Sequence, residues 1–344
     1  MEINNTLKKI FLEDNDCFDD ILGQEKVKNE IKSALLMNRH IVIYGPPGIG
    51  KTTLAKNMAK LLPDLKVNDC DFNCLPDAPV CPTCLEGKNT KTITSKGANR
   101  FVRVQGSPDL SSEDLLGDID PIKALKYGAL SMRAFTPGKI FKANNGVLFF
   151  DELNRCPEKL QNALLQVLEE RKATIGSYDI DIDANFLFIA TMNPHDSNTE
   201  KLSDVLLDRF DVIYMDYPEN HDIEAQIVTS KAQSMVEIDN IHTEMIVKFV
   251  RDLRDNENLE KVPSVRATIG LFERAHSNAF LKGHASVTYE DIQDAVVSVI
   301  SHRIRLKPSI RYIQEPNDFI RKEFEKFTDE KFSDMKSNES GGDG

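Results

Sequence analysis

The chain has no tryptophan, and Phe, Trp and Tyr together make up only 7% of its 344 residues. Basic residues are in deficit, with 43 Lys and Arg against 55 Asp and Glu, for a formal charge of −12. An acidic chain with no basic tail argues against nucleic-acid binding and leaves room only for a local basic patch. No apolar run approaches the roughly 18 residues that span a bilayer. The N-terminus also lacks the apolar core of a signal peptide. These absences predict a cytoplasmic protein that does not meet a membrane. Internal repeats are missing as well. What remains is the composition of an ordinary globular protein, long enough for about two domains with real cores.

The chemistry that is present belongs to polyphosphate. Gly45, Pro46, Pro47, Gly48, Ile49, Gly50, Lys51 and Thr52 form a complete phosphate-binding loop, followed by Thr53. The β-branched run Ile41–Tyr44 before it reads as a buried parallel strand. After it, Leu54, Met58, Leu61 and Leu62 fall at helical spacing between Thr53 and Leu62. A strand, a glycine turn and a helix in that order aim backbone N–H groups and a helix N-terminus at one spot, which binds phosphate. Lys51 is placed for the β- and γ-phosphates, and the Thr52 hydroxyl for Mg²⁺.

Hydrolysis needs one carboxylate to hold the metal and a second to activate water. Val147–Phe150 is another buried-strand pattern, and Asp151 and Glu152 follow it directly. Asp151 is read as the Mg²⁺ carboxylate and Glu152, pointing the other way, as the general base. A third run, Phe186–Ala190, leads to Asn193, which would orient the attacking water. Asp208-Arg209-Phe210-Asp211 then opens a strand at Val212–Met215. An arginine between acids suits a surface ion pair, but phosphoryl transfer gains from a cation delivered to the γ-phosphate by a neighbouring subunit. Arg266, at the start of a later helix, is the candidate for sensing nucleotide across the domain boundary.

Residues 1–20 are polar and acidic, a lead-in. An amphipathic helix follows, with Val27, Ile31, Ala34 and Leu35 on one face. Gly23 and Gln24 at its start are counted with the nucleotide-binding residues. The αβα pattern runs over 21–218, with insertions at 66–98 and 109–141. Residues 219–310 turn helical, with pairs such as Ile223 and Ile227 or Ile292 and Val296, and predict a small all-helical lid. Residues 311–344 add a helix carrying Ile320, Phe324 and Phe327, then a polar, acidic tail expected to be disordered. The predicted fold class is α/β: a P-loop NTPase αβα core on a parallel sheet, followed by the helical lid.

This order of motifs resembles the AAA+ ATPases, and within them the magnesium-chelatase I subunits and MoxR ATPases. The likeness rests on Phe135–Gly146 ahead of the acidic strand, Asp151–Arg155, Gln161–Glu170, and the segments around Arg209 and Arg266. It covers about Ile21 to Leu306. It implies that Lys51, Thr52, Asp151, Glu152 and Asn193 act in one subunit. Arg209 would come from the next subunit, and Arg266 would serve as lid sensor in cis or in trans. ATP and Mg²⁺ are the implied cofactors. A hexameric homo-oligomeric ring and a partner with a von Willebrand factor A-type domain are the implied assembly. The implied activity is ATP hydrolysis that remodels a partner. Two roles fit: a chelatase motor inserting Mg²⁺ or Co²⁺ into a tetrapyrrole, or a MoxR-like chaperone activating a metalloenzyme. A nucleic-acid motor related to the replicative helicases is the alternative, and the acidic balance counts against it.

Two insertions stand apart from this machinery. Cys70, Cys74, Cys81 and Cys84 are separated by three, six and two residues, among Pro76, Pro79 and Pro82. Four close thiols in a reducing compartment suit a metal better than disulfides. Structural zinc, an iron–sulfur cluster, and free or redox-paired thiols all remain open. Chelatase I subunits carry an insertion here too, but the family does not imply the four cysteines. Within 109–141, Leu115–Pro121 and Lys123–Leu130 read as a hairpin and helix facing a pore or partner, with Gly117, Gly128 and Gly138 as hinges.

Overall fold

Strand-forming residues assemble one parallel sheet. Its strands are β1 (His40–Tyr44), β2 (Phe101–Gln105), β3 (Val147–Asp151), β4 (Leu187–Met192) and β5 (Phe210–Tyr214), in the order β5-β1-β4-β3-β2. Each neighbouring pair is parallel. The structure is a computed structural model that describes residues 2–13, 17–87, 91–128, 131–175, 180–193 and 202–331. The chain divides into two compact units, Met1–Gly45 with Gly50–Met215, and Pro46–Ile49 with Asp216–Gly344.

In the first unit, the apolar runs of β1, β3 and β4 are buried throughout their centres. They are the three inner strands, covered on both faces as a parallel sheet requires. The expectation of the same two-sided cover for Phe101–Val104 is corrected. β2 lies at the edge and exposes Arg103, just as β5 at the other edge exposes Val212 and Tyr214. Helix α1 (Glu2–Glu13) packs on α2 (Glu25–Leu36), and α2 packs on β5. The segment expected as a polar lead-in is therefore part of the fold: Leu7 and Phe18 are buried. Helix α3 (Lys51–Lys60) starts inside the phosphate loop and lies against β3 and β4, and α4 (Glu158–Glu170) follows β3.

Both insertions are antiparallel ribbons. Leu65–Asn68 pairs with Thr92–Ser95, and the cysteines lie between them. Gly117–Ile119 pairs with Phe135–Pro137 around the short helix Pro121–Tyr127. Two of the supposed hinges are instead points of close backbone packing. A β-carbon on Gly117 would lie 2.2 Å from Thr136 O, and one on Gly138 would lie 2.4 Å from Leu115 O. Arg100 is fully buried between the insertions. Its guanidinium donates to the carbonyls of Pro63, Ser95 and Asn145, so a charge removed from water keeps strong hydrogen bonds.

The second unit holds α5 (His221–Lys231), α6 (Asn240–Arg254), α7 (Val265–Lys282), α8 (Tyr289–Ile300) and α9 (Pro316–Lys331). It is helical as expected, with one short addition, the antiparallel pairing of Leu259–Lys261 with Arg305–Leu306. Its core does not stop near Leu306. Phe319, Ile320, Phe324 and Phe327 of α9 join the same apolar cluster as Phe249 and Tyr289. The tail beyond residue 331 lies outside the described residues.

One ionic group is sealed into this helical core. The Glu224 carboxylate is fully buried and accepts from Arg254 Nη1 and Nη2 at 2.6 Å each, from Thr268 Oγ1 at 2.6 Å and from Arg251 Nη1 at 3.2 Å. Burial alone would raise its pKa, but the bonds and charge of Arg254, with Thr268 and Arg251, hold it below the ordinary value. A carboxylate depressed on folding stabilises above its unfolded pKa, about 4.3, and that contribution fades as pH falls through the folded value. Glu224→Ala leaves Arg254 buried without its counter-charge and is expected to cost about 3–5 kcal/mol. Urea unfolding at neutral pH measures this. The gap to wild type should narrow as the pH is lowered below about 4, and a gap that stays constant into acid would remove the ionic explanation.

Candidate active site

The site grows from the carboxyl end of β3. Asp151 is its last residue, and Glu152 turns the chain away at φ 58° and ψ 55°. This left-handed conformation costs a residue with a β-carbon about 1–2 kcal/mol. Three neighbouring contacts hold it. The Thr191 hydroxyl, on β4, donates to Asp151 Oδ1 at 2.6 Å and accepts from the Glu152 N–H at 2.9 Å. Gly106, just past β2, donates its N–H to Asp151 O at 2.7 Å. A β-carbon on Gly106 would lie 2.0 Å from Glu152 O, so only glycine permits that approach.

Opposite this turn stands the first turn of α3. Lys51 Nζ donates to the carbonyls of Gly45 and Met192, which holds the ammonium at the ends of β1 and β4. Thr52 Oγ1 lies 3.5 Å from Asp151 Oδ2. A hydroxyl and a carboxylate at that separation are the hard oxygen donors that suit Mg²⁺, with the remaining positions going to water and phosphate. Asn193 sits one residue beyond β4, and its carbonyl accepts from Asn154 Nδ2 at 3.4 Å. Gly23 and Gln24 both have left-handed backbones ahead of α2. Nearby Ile21 brings Cδ1 to 3.6 Å from where a Gly50 β-carbon would stand, which puts this turn beside the loop.

Three side chains that sequence reasoning passed over hold the two acids. Arg103 Nη2 contacts Asp151 Oδ2 at 2.6 Å, Gln105 Nε2 donates to Glu152 Oε2 at 2.9 Å, and Arg155 Nη1 lies 3.1 Å from the same oxygen. Arg103 and Gln105 share the exposed face of β2, and Gln105 sits opposite Asp151 in the β2–β3 register. A polar residue at every second position of an apolar strand was the available signal. Arg209 is elsewhere in its bonding: it pairs with Glu169 at 3.2 Å and with Asp208 at 3.5 Å, and among the described residues it makes no bond to the Asp151–Glu152 pair. In the second unit, Arg266 is exposed on the first turn of α7. Loop residue Gly48 belongs to that unit, and a β-carbon on it would come within 2.8 Å of Ser264 Oγ and 3.1 Å of Arg266 Cγ.

Three family models match the chain in sequence order. Residues 17–72 match magnesium chelatase subunit ChlI, 79–212 match the ATPase family associated with various cellular activities (AAA), and 260–323 match the AAA lid domain. The chain is an AAA+ ATPase of the magnesium-chelatase I type. Among its relatives, the magnesium-chelatase subunit ChlI homolog of Methanocaldococcus jannaschii is 28% identical, over 85% of this chain and 86% of its own. Chloroplastic magnesium-chelatase subunit ChlI of Oryza sativa subsp. indica is 29% identical, over 85% of this chain and 76% of its own. A structure of the complex between subunits BchI and BchD of magnesium chelatase aligns at a TM-score of 0.47 and 20% identity, covering 88% of this chain and 98% of that one.

In this AAA+ ATPase the Thr191 hydroxyl orients both Asp151 and Glu152, across from Lys51 and Thr52 on the first turn of α3. Thr191→Val keeps the side-chain shape and deletes both hydrogen bonds. The kcat for ATP hydrolysis is expected to fall about ten- to a hundredfold, the equivalent of one charge-assisted hydrogen bond. KM for ATP should stay near wild type, because the phosphate loop is untouched. Steady-state kinetics decide it, and an unchanged kcat would take Thr191 out of the machinery.

Proposed function

We propose that this chain is the ATP-driven motor subunit of a chelatase-type machine, acting in the cytoplasm as a homo-oligomeric, hexameric ring. The observation that carries the reading is the Asp151–Glu152 turn set beside Lys51 and Thr52. Thr52 and Asp151 would hold the Mg²⁺ that neutralises charge on the β- and γ-phosphates. Glu152 would take the proton from the attacking water, and Asn193 would orient that water. Glu152 first has to exchange its bonds to Gln105 and Arg155 for the water. Bonding of Arg209 to Glu169 and Asp208, outside its own chain's acidic pair, supports delivery of this guanidinium to a neighbour's γ-phosphate. Proximity of Arg266 to Gly48 supports a sensing role at the loop.

The names borne by relatives across most of the chain support a magnesium-chelatase role; we extend this to insertion of Mg²⁺ or Co²⁺ into a tetrapyrrole held on another subunit. A MoxR-like chaperone role for a metalloenzyme uses the same motor with a different client. In either case the motor acts on a partner with a von Willebrand factor A-type domain. The 109–141 insertion suits a partner-facing element, since helix Pro121–Tyr127 buries none of its residues and exposes Ile122 and Leu125 at 80% and 90%. Deleting residues 115–133 should leave ATP binding intact and abolish stimulation of hydrolysis by the partner.

The ring reading has its own test. Glu152→Gln is expected to bind ATP, assemble and not turn over, trapping the partner for identification by mass spectrometry. Arg209→Ala should also lose turnover, and mixing it with Lys51→Ala subunits should restore part of the activity. Light scattering that finds only monomer at saturating Mg–ATP, or an Arg209→Ala chain that hydrolyses normally by itself, would defeat the proposal.

A further inference from the structure

The cysteine insertion takes no part in ATP chemistry, yet its geometry is that of a built site. The Sγ atoms of Cys70, Cys74, Cys81 and Cys84 all lie within 4.8 Å of one another. None is in a disulfide, and Cys74, Cys81 and Cys84 are buried. Backbone amides point at the sulfurs: the Val80 and Cys81 N–H groups donate to Cys74 Sγ, and the Cys84 N–H donates to Cys81 Sγ, each at 3.4 Å. Such donors stabilise thiolate charge. A tetrahedron of Zn–S bonds of about 2.3 Å places its sulfurs about 3.8 Å apart, which this convergence reaches with a small contraction. An iron–sulfur cluster spreads its cysteines over several irons and needs the sulfurs farther apart than this.

We propose that the four cysteines bind one structural Zn²⁺, and that this ion fastens the two insertions of the first unit to each other. The second half of the claim follows from what each cysteine pair is attached to. The Cys70–Cys74 turn is sewn to the segment just ahead of β3. Asn144 Nδ2 donates to Phe72 O and Asn145 Nδ2 to Asn73 O, each at 3.0 Å, and Asn73 Nδ2 donates to Lys142 O at 2.8 Å. The Phe72 ring packs 5.4 Å from Phe141 and 6.4 Å from Phe135, centroid to centroid. The Cys81–Cys84 turn reaches the 109–141 insertion at a separate point, through the ion pair of Glu86 with Arg133. Sulfur ligands from both turns make the metal the joint between these attachments. With four protein ligands the shell is closed, so the ion leaves no position for substrate and its role is structural.

The test begins with full-length protein purified by ion exchange, without a metal-affinity tag, and analysed by plasma mass spectrometry. About one zinc per chain is expected, and it should be released when an organomercurial modifies the thiols, as read by a colorimetric zinc dye. The Cys81→Ser/Cys84→Ser protein should lose the zinc yet still bind a fluorescent ATP analogue, since no residue of the phosphate loop is changed. Stripping zinc from wild-type protein should open residues 70–133 to trypsin, and re-adding Zn²⁺ should close them again. The proposal is overturned by metal-free protein with four thiols titratable under native conditions. Iron with visible thiolate-to-iron absorbance, zinc retained by the double variant, or a tryptic pattern indifferent to zinc would overturn it equally.

Discussion

The hydroxyl of Thr191 is the small contact on which the placing of the two acids depends. It joins β4 to the end of β3 by giving its proton to one acid and receiving the backbone N–H of the next residue. Glu152 occupies a conformation that a residue with a β-carbon avoids, and the surrounding bonds compensate. The close passage of Gly106 over the Glu152 carbonyl excludes any bulkier residue at that point. Two carboxylates that follow one another in sequence are thereby turned to different neighbours, one toward the Thr52 hydroxyl and the other toward Gln105 and Arg155.

Contacts local in sequence were the readable ones. The phosphate loop, its strand and helix, and the acids after Val147–Phe150 all announce themselves within short windows, because each needs only a spacing and a turn. The side chains that tune the acids do not. Arg103, Gln105 and Thr191 matter only because β2, β3 and β4 end up adjacent, and that adjacency is a property of strand order. Composition also hid structure. Residues 1–20 look like a polar lead-in, yet Leu7 and Phe18 within that stretch are buried. The ribbon of Leu259–Lys261 with Arg305–Leu306 is too short to interrupt a helical pattern. Glycines at 117 and 138 read as hinges in one dimension, whereas in three they are places where two backbones touch.

The two units solve burial differently. The sheet unit relies on apolar runs sandwiched between helices, and its buried Arg100 is satisfied by neutral carbonyls alone. The helical unit instead encloses a carboxylate with two guanidiniums, an arrangement that is intolerant of losing any member. Glu224 on α5, Arg251 and Arg254 on α6 and Thr268 on α7 tie three helices at one point. That point adds direction to a core whose aliphatic contacts alone would tolerate sliding. The α6–α7 turn is set by it too, because Arg254 Nε also donates to Pro263 O at 2.9 Å.

The ribbon at the root of the cysteine insertion closes with Leu65 opposite Ser95. The polypeptide thus leaves and re-enters the core at adjacent points, and everything between them is a detour with a single narrow stem. Lengthening such a detour adds little closure entropy, and its removal would leave the five-stranded sheet with its own connections. The appendage is also stitched back onto the chain ahead of β3 through Asn144 and Asn145, so a change in its length is absorbed at its far turns rather than at these seams.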